Sequence, residues 1–199
     1  LTLIFGVLRV INFAHGSLYM LGAYFTYSFV HISGSYWVAL LVAPLVVASV
    51  AGLIEFFCLR RLYVREHEFQ LLLLYSFVLI FDDVVKALWG TALKLVPKPE
   101  IMVGSVQIAG RDFPSYALLI IGLGPLVALF LWYTLTRTRI GRQVVAASLD
   151  RDAANALGMN VPFLYTTVFA FGAWLGGVGG AVAAPLRAAS PGMGGEIII

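Results

Sequence analysis

Asn12, His15 and Gly16 fall within five residues of 9-RVINFAHGSLYMLGAYF-25, a run otherwise suited to lipid. An amide and an imidazole offer hydrogen bonds, and a glycine lets backbone come close. The chemistry open to them is binding. Asn12 or Ser17 can cap a helix that begins near Gly16. Irregular backbone at membrane depth survives only against protein or a water-filled cavity. Two readings follow. Asn12, His15 and Gly16 line or shape a translocation path, or Asn12 and His15 bond to a neighbouring helix and fix its packing. Arg9 precedes them, and its long side chain can snorkel, which also fits a cytoplasmic mouth.

A second constellation lies in 137-RTRIGRQVVAASLDRDAANALGMNVP-162. Asp150 and Asp152 stand before Ala153, Ala154, Ala156 and Leu157, and Gly158 follows. That order predicts an N-cap, a short helix and a glycine stop. Pro162 then sits where a new helix tolerates proline. A surface helix pinned between two spanning helices can be gripped by a partner, which then moves both spans together.

Catalysis and metal binding have little to stand on. His15, His31 and His67 are unrelated in spacing, Cys58 is the single cysteine, and no H-E-x-x-H occurs. No nucleophile–base pair is apparent from spacing, so the chain is not expected to be an enzyme. No G-x-x-x-x-G-K-[ST] phosphate loop is present, so any ATP must be bound by another subunit.

The elements that position these residues are membrane helices. The chain is 61% hydrophobic and 12% charged, against about half and a quarter for soluble domains. A spanning helix needs about 20 mainly apolar residues. Spans are predicted at 9–31, 36–58, 69–89, 114–135 and 162–184. The apolar part of the first, 17–31, covers only about 20 Å of a hydrocarbon layer about 30 Å thick. Its missing length comes from residues 9–16, or it is a half-helix that does not cross. Arg60, Arg61 and Arg65 in one loop and Arg137, Arg139, Arg142 and Arg151 in loop 136–161 place both in the cytoplasm. The net charge of +3 is therefore a topology signal, and no nucleic-acid partner is expected. Loop 90–113 is external, and 101-IMVGSVQIAGRDF-113 reads either as a short β-hairpin or as an irregular loop.

Asp82 and Lys86, four apart on one helical face, favour an ion pair, and Asp83 has no such local partner. Charges at membrane depth suggest function by default; these three lie near the outer end of their span, where an interfacial role also fits. Glu55 and Arg60 read as interfacial anchors. Gly172, Gly176 and Gly180 recur every four residues and mark a smooth packing face.

Several blocks carry a family resemblance. The 152-DAANALG-158 stretch resembles the EAA-x-x-x-G loop of ABC importer permeases, with aspartate for the usual glutamate. The 12-NFAHGSLYMLGAY-24 block resembles the N-F-A-H-G signature of branched-chain amino acid ABC permeases of the Liv type, closest to the H-subunit. Residues 139–162, 169-FAFGAWLGGVGGAVAAP-185 and 191-PGMG-194 are also similar to that family. The resemblance is weaker over 31–113. It implies an all-α, polytopic transmembrane helix bundle of the ABC importer permease type, multi-pass in a bacterial plasma (inner) membrane. It implies partners: cytoplasmic ABC ATPase subunits, a second permease subunit or a copy of itself, a periplasmic or extracellular substrate-binding protein, and the lipid bilayer. Asp150, Asp152, Ala153, Ala154 and Gly158 would form the ATPase-coupling loop. A half-helix starting near Gly16 would turn its positive end toward an amino acid's carboxylate. The related urea and short-chain amide permeases share much of the signature. An ion-coupled secondary transporter, using Asp82 and Asp83, is the reading from a different class. The chain opens on Leu1 and stops at 196-EIII-199, so a fragment of a longer subunit, lacking both ends, is expected.

Overall fold

A computed structural model describes residues 12–63, 65–102, 104–108 and 111–196. In chain order the helices are α1 (His15–Ser33), α2 (Tyr36–Phe57), α3 (His67–Trp89), α4 (Ser115–Arg137), α5 (Arg139–Leu149), α6 (Arg151–Ala156), α7 (Val161–Ala183) and α8 (Met193–Glu196). A 3₁₀ turn, Leu59–Leu62, follows α2. Between α3 and α4, β1 (Ser105–Ile108) pairs antiparallel with β2 (Arg111–Pro114), so the alternating pattern there does form strands. The architecture is an all-α bundle with this small hairpin at one end.

Among the described residues, three helical stretches are long and apolar enough to cross a membrane: Tyr36–Leu62, Ser115–Arg137 and Val161–Ala183. Their exposed faces are apolar, with Leu41, Leu45, Leu53, Ile121, Leu126 and Leu129 all more than half exposed. In water this would be ruinous, whereas in lipid it is the expected outer face. This is a membrane protein.

The central helix is α7, against which α1 and α2 pack along their lengths. The helices approach closely because their facing positions are small. On α2 the buried stripe is Ala39, Ala43, Val47, Ala51 and Glu55, one residue in every four. On α7 it includes Gly172, Gly176 and Gly180, as the spacing predicts. A Cβ on Gly180 would lie 2.0 Å from the Tyr19 carbonyl oxygen, and one on Gly22 would lie 2.5 Å from that of Gly177. Only glycine permits these contacts, and van der Waals packing between backbones holds such helices together in lipid.

Near one end, Tyr36 donates to the Ala181 carbonyl at 3.1 Å and Tyr116 donates to the Val182 carbonyl at 2.7 Å. The two hydroxyls lie 2.7 Å apart. Tyr116 is the one buried residue of α4, so this pair is the main tie between that helix and the core.

Candidate functional site

The start of α1 is set by backbone. Its N-cap is Ala14, with no side-chain cap, and the His15 N–H donates to the Asn12 carbonyl at 3.1 Å. Neither Asn12 nor Ser17 caps the helix, contrary to the expectation from their side chains. The reason is register: Ala14 occupies the cap position and Ser17 falls inside the first turn. Residues 9–11 of the predicted first span lie outside the described residues. The Asn12 side chain is buried, and its Nδ2 and Oδ1 find no hydrogen-bond partner among the described residues.

Contacts with α7 fix the height of this start. The His15 ring lies against Gly176, where a Cβ would meet Cε1 at 3.2 Å, and Tyr19 lies against Gly180. Gly22 in turn lies against Gly177, so α1 crosses α7 at these small residues. At 1.5 Å per residue Gly176 lies about 22 Å along α7. Helix α1 therefore begins well inside the bundle rather than at its end.

The segment after α7 returns to the same height. Ala189 and Lys94 exchange two backbone hydrogen bonds of 2.9 Å. The Asp82 carboxylate then accepts the Gly192 N–H at 2.9 Å. A Cβ on Gly194 would lie 2.8 Å from the Gly16 carbonyl, so residues 192–194 close over the start of α1. Asn12, His15 and Gly16 thus sit where α1, α7 and α8 converge, with Asp82 holding the third element in place. Lys86 pairs with Asp82 at 3.8 Å, as the spacing predicts, and lies 3.4 Å from Asp83. Asp83 therefore has a local partner after all, because three residues along a helix are also neighbours.

At the arginine-bearing end, residues 136–161 fold into two helices where sequence reasoning placed one. Thr138 caps α5, accepting from the Gly141 N–H at 3.0 Å. Gly141 lies so close to the end of α4 that a Cβ would approach the Thr134 carbonyl to 2.3 Å. Gly141, Val144 and Ala147 form the buried face of α5. That three-residue spacing was the missed signal, hidden by Arg139, Arg142 and Gln143 on the other face.

Asp150 caps α6 as its position predicts, accepting from the Asp152 N–H at 3.0 Å and the Ala153 N–H at 2.9 Å. Ala154 is buried, while Asp152, Ala153 and residues 155–158 are exposed. Leu157 is 78% exposed, an apolar side chain presented outward next to acidic ones. Gly158 takes φ +81°, a conformation that side-chain-bearing residues resist. Asn160 then caps α7 through the Phe163 N–H at 3.1 Å.

The largest departure from sequence reasoning is Glu55. It is fully buried, the last member of the α2 stripe, and not an interfacial anchor. Tyr63 donates to its Oε1 at 3.0 Å, and Thr166 of α7 donates to its Oε2. Burial, then the Glu55 carboxylate, push the Tyr63 hydroxyl above its usual pKa, so it stays a donor. The connector that carries Tyr63 is pinned by Gln70 of α3, whose Nε2 donates to the Leu62 carbonyl at 3.0 Å. Arg151 of α6 stacks its guanidinium 5.9 Å from the Tyr63 ring centre and 5.6 Å from that of Tyr165. Those two rings meet edge to face at 5.3 Å. A run of contacts therefore leads from α6 to a buried carboxylate between α2 and α7. A buried carboxylate is tolerated there only while its oxygens stay hydrogen-bonded.

No solved structure matches this chain. Among characterised proteins it is similar to the high-affinity branched-chain amino acid transport system permease protein BraD of Pseudomonas aeruginosa, with 25% identity over 189 residues. That alignment takes in 89% of this chain and 62% of BraD. The whole sequence, residues 1–199, matches the family described as branched-chain amino acid transport system / permease component. With a bundle of apolar helices and an outward-facing α6 already in place, the match is decisive: the chain belongs to that permease family.

Proposed function

We propose that this chain forms the translocation domain of an ATP-driven importer in a bacterial inner membrane, carrying branched-chain amino acids. Separate cytoplasmic ATPases bind α6 and its flanks, Asp150 to Gly158, and their closure moves α7 together with α4 and α5. A second permease subunit completes the pore, and an external binding protein delivers the solute. Asn12, His15 and Gly16 shape the path where α1 begins inside the bundle. The positive end of α1 there suits a carboxylate.

The observation that carries this reading is α6 itself. It is a short helix with a defined start at Asp150 and a defined exit at Gly158, and its outer face is unoccupied by the rest of the bundle. Such a helix gives a partner a rigid handle. Gentle purification of the full-length subunit from its native membrane should bring down ATPase subunits, and Gly158→Arg should strip them away. A wild-type subunit that carries no ATPase, yet transports in its absence, would contradict the reading.

A further inference from the structure

We propose that Glu55 transmits movement of α6 to α2 and α7, with Arg151 and Tyr63 as the link; this rests on the coupling role of α6 given above. Glu55 is the one fully buried charged side chain among the described residues. It occupies a stripe whose preceding members are Ala39, Ala43, Val47 and Ala51, where an apolar residue would satisfy packing. The ion pairs among the described residues are those of Lys86, so hydroxyls rather than a cation hold the Glu55 carboxylate.

Those hydroxyls come from different elements. Thr166 belongs to α7, and Tyr63 to the connector after α2. The Tyr63 ring also carries Arg151, the first residue of α6. A stacked guanidinium slides more readily than a bidentate salt bridge, because the ring face offers no fixed docking point. An apolar side chain at position 55 would tolerate a range of separations between α2 and α7. A buried carboxylate does not: it is either fully hydrogen-bonded or exposed to a large penalty. When α6 is displaced, Arg151 leaves the Tyr63 ring, and the Tyr63 hydroxyl loses its alignment on Glu55. The carboxylate then has Thr166 alone, and α2 and α7 must rearrange to supply another donor or water. The network therefore has two arrangements rather than a continuum, as a switching element requires.

The test compares solute moved per ATP hydrolysed by the full-length permease, assembled with its ATPases and binding protein in proteoliposomes. Tyr63→Phe keeps the ring under Arg151 and removes only the hydroxyl. Thr166→Val removes the second donor, and Thr166→Ser restores it. Tyr63→Phe and Thr166→Val should assemble and hydrolyse ATP without binding protein as the wild type does. Their solute-to-ATP ratio should fall roughly fivefold or more, the scale of a lost coupling interaction. Thr166→Ser should recover the ratio. Adding Arg151→Ala to Tyr63→Phe should lower the ratio no further, since both break one link. Wild-type ratios in Tyr63→Phe and Thr166→Val would overturn the proposal. So would parallel losses of uptake and ATPase at constant ratio, because Glu55 would then only hold the fold together. Should Thr166→Val fail to assemble, Tyr63→Phe alone decides between these outcomes. A wild-type complex with no ATP-dependent uptake would refute the coupling role of α6 itself, a separate result.

Discussion

Asp82 reaches across 110 positions of sequence to accept the backbone N–H of Gly192 at 2.9 Å. This bond fixes the segment that closes over the start of α1, and it gives the α3 carboxylate a defined task. Asp82→Ala should cost about 1.5–3 kcal/mol, the usual value of a hydrogen bond to a charged group. Asp82→Asn keeps an acceptor and should lose less. Gly195 is exposed, with open space around it. In a Cys58→Ser background, a cysteine at 195 should react with maleimide several times faster when Asp82 is alanine.

The glycine contacts of α7 predict a sharp contrast among conservative changes. Gly180→Ala and Gly22→Ala push a methyl into backbone oxygen and should each destabilise by about 1–3 kcal/mol or more. Gly124 of α4 has nothing within 4 Å of a built Cβ. Gly124→Ala should be neutral or stabilising by up to about 1 kcal/mol, since alanine loses less chain entropy in a helix. Thermal melts of the purified permease would rank the three.

For α6, the cap and the exit can be weakened separately. Asp150→Ala removes the acceptor of two N–H groups and should destabilise the local helix by about 1 kcal/mol. Gly158→Ala forces a methyl-bearing residue to φ +81° at a cost of about 1–2 kcal/mol, although the space is open. Both variants should bind ATPase subunits more weakly in pull-down titrations, and Asp150→Asn should bind as the wild type does.

His15→Ala separates the two roles open to the start of α1. If the imidazole shapes the path, uptake should fall severalfold while the amount of assembled complex stays unchanged. Unchanged uptake at normal assembly would remove His15 from the mechanism and leave it a packing residue against Gly176.

What could be read from residues alone was whatever obeyed a single periodicity or a local cap. The runs behind α2, α4 and α7 are long and apolar, and Asp150 and Gly158 are diagnostic by position. Alternation left the hairpin and an irregular loop both open, and the strands formed. Glu55 was misread because one charge near a helix end ordinarily sits at an interface. Its true place was encoded in the four-residue spacing from Ala39 to Ala51, which aims position 55 at α7. Helix α5 was missed because its buried face is only Gly141, Val144 and Ala147. The closure of residues 192–194 over α1 depends on a hydrogen bond that Asp82 accepts from Gly192 and a backbone approach at Gly16. No local pattern announces contacts between segments so far apart.

The most direct measurement is uptake of labelled leucine by proteoliposomes holding the full-length permease and its binding protein, with and without ATPase subunits and ATP. The account predicts uptake only when both are present, and its loss when the ATPase is catalytically dead. Leucine accumulating at the same rate without any ATPase, driven by an ion gradient, would contradict it.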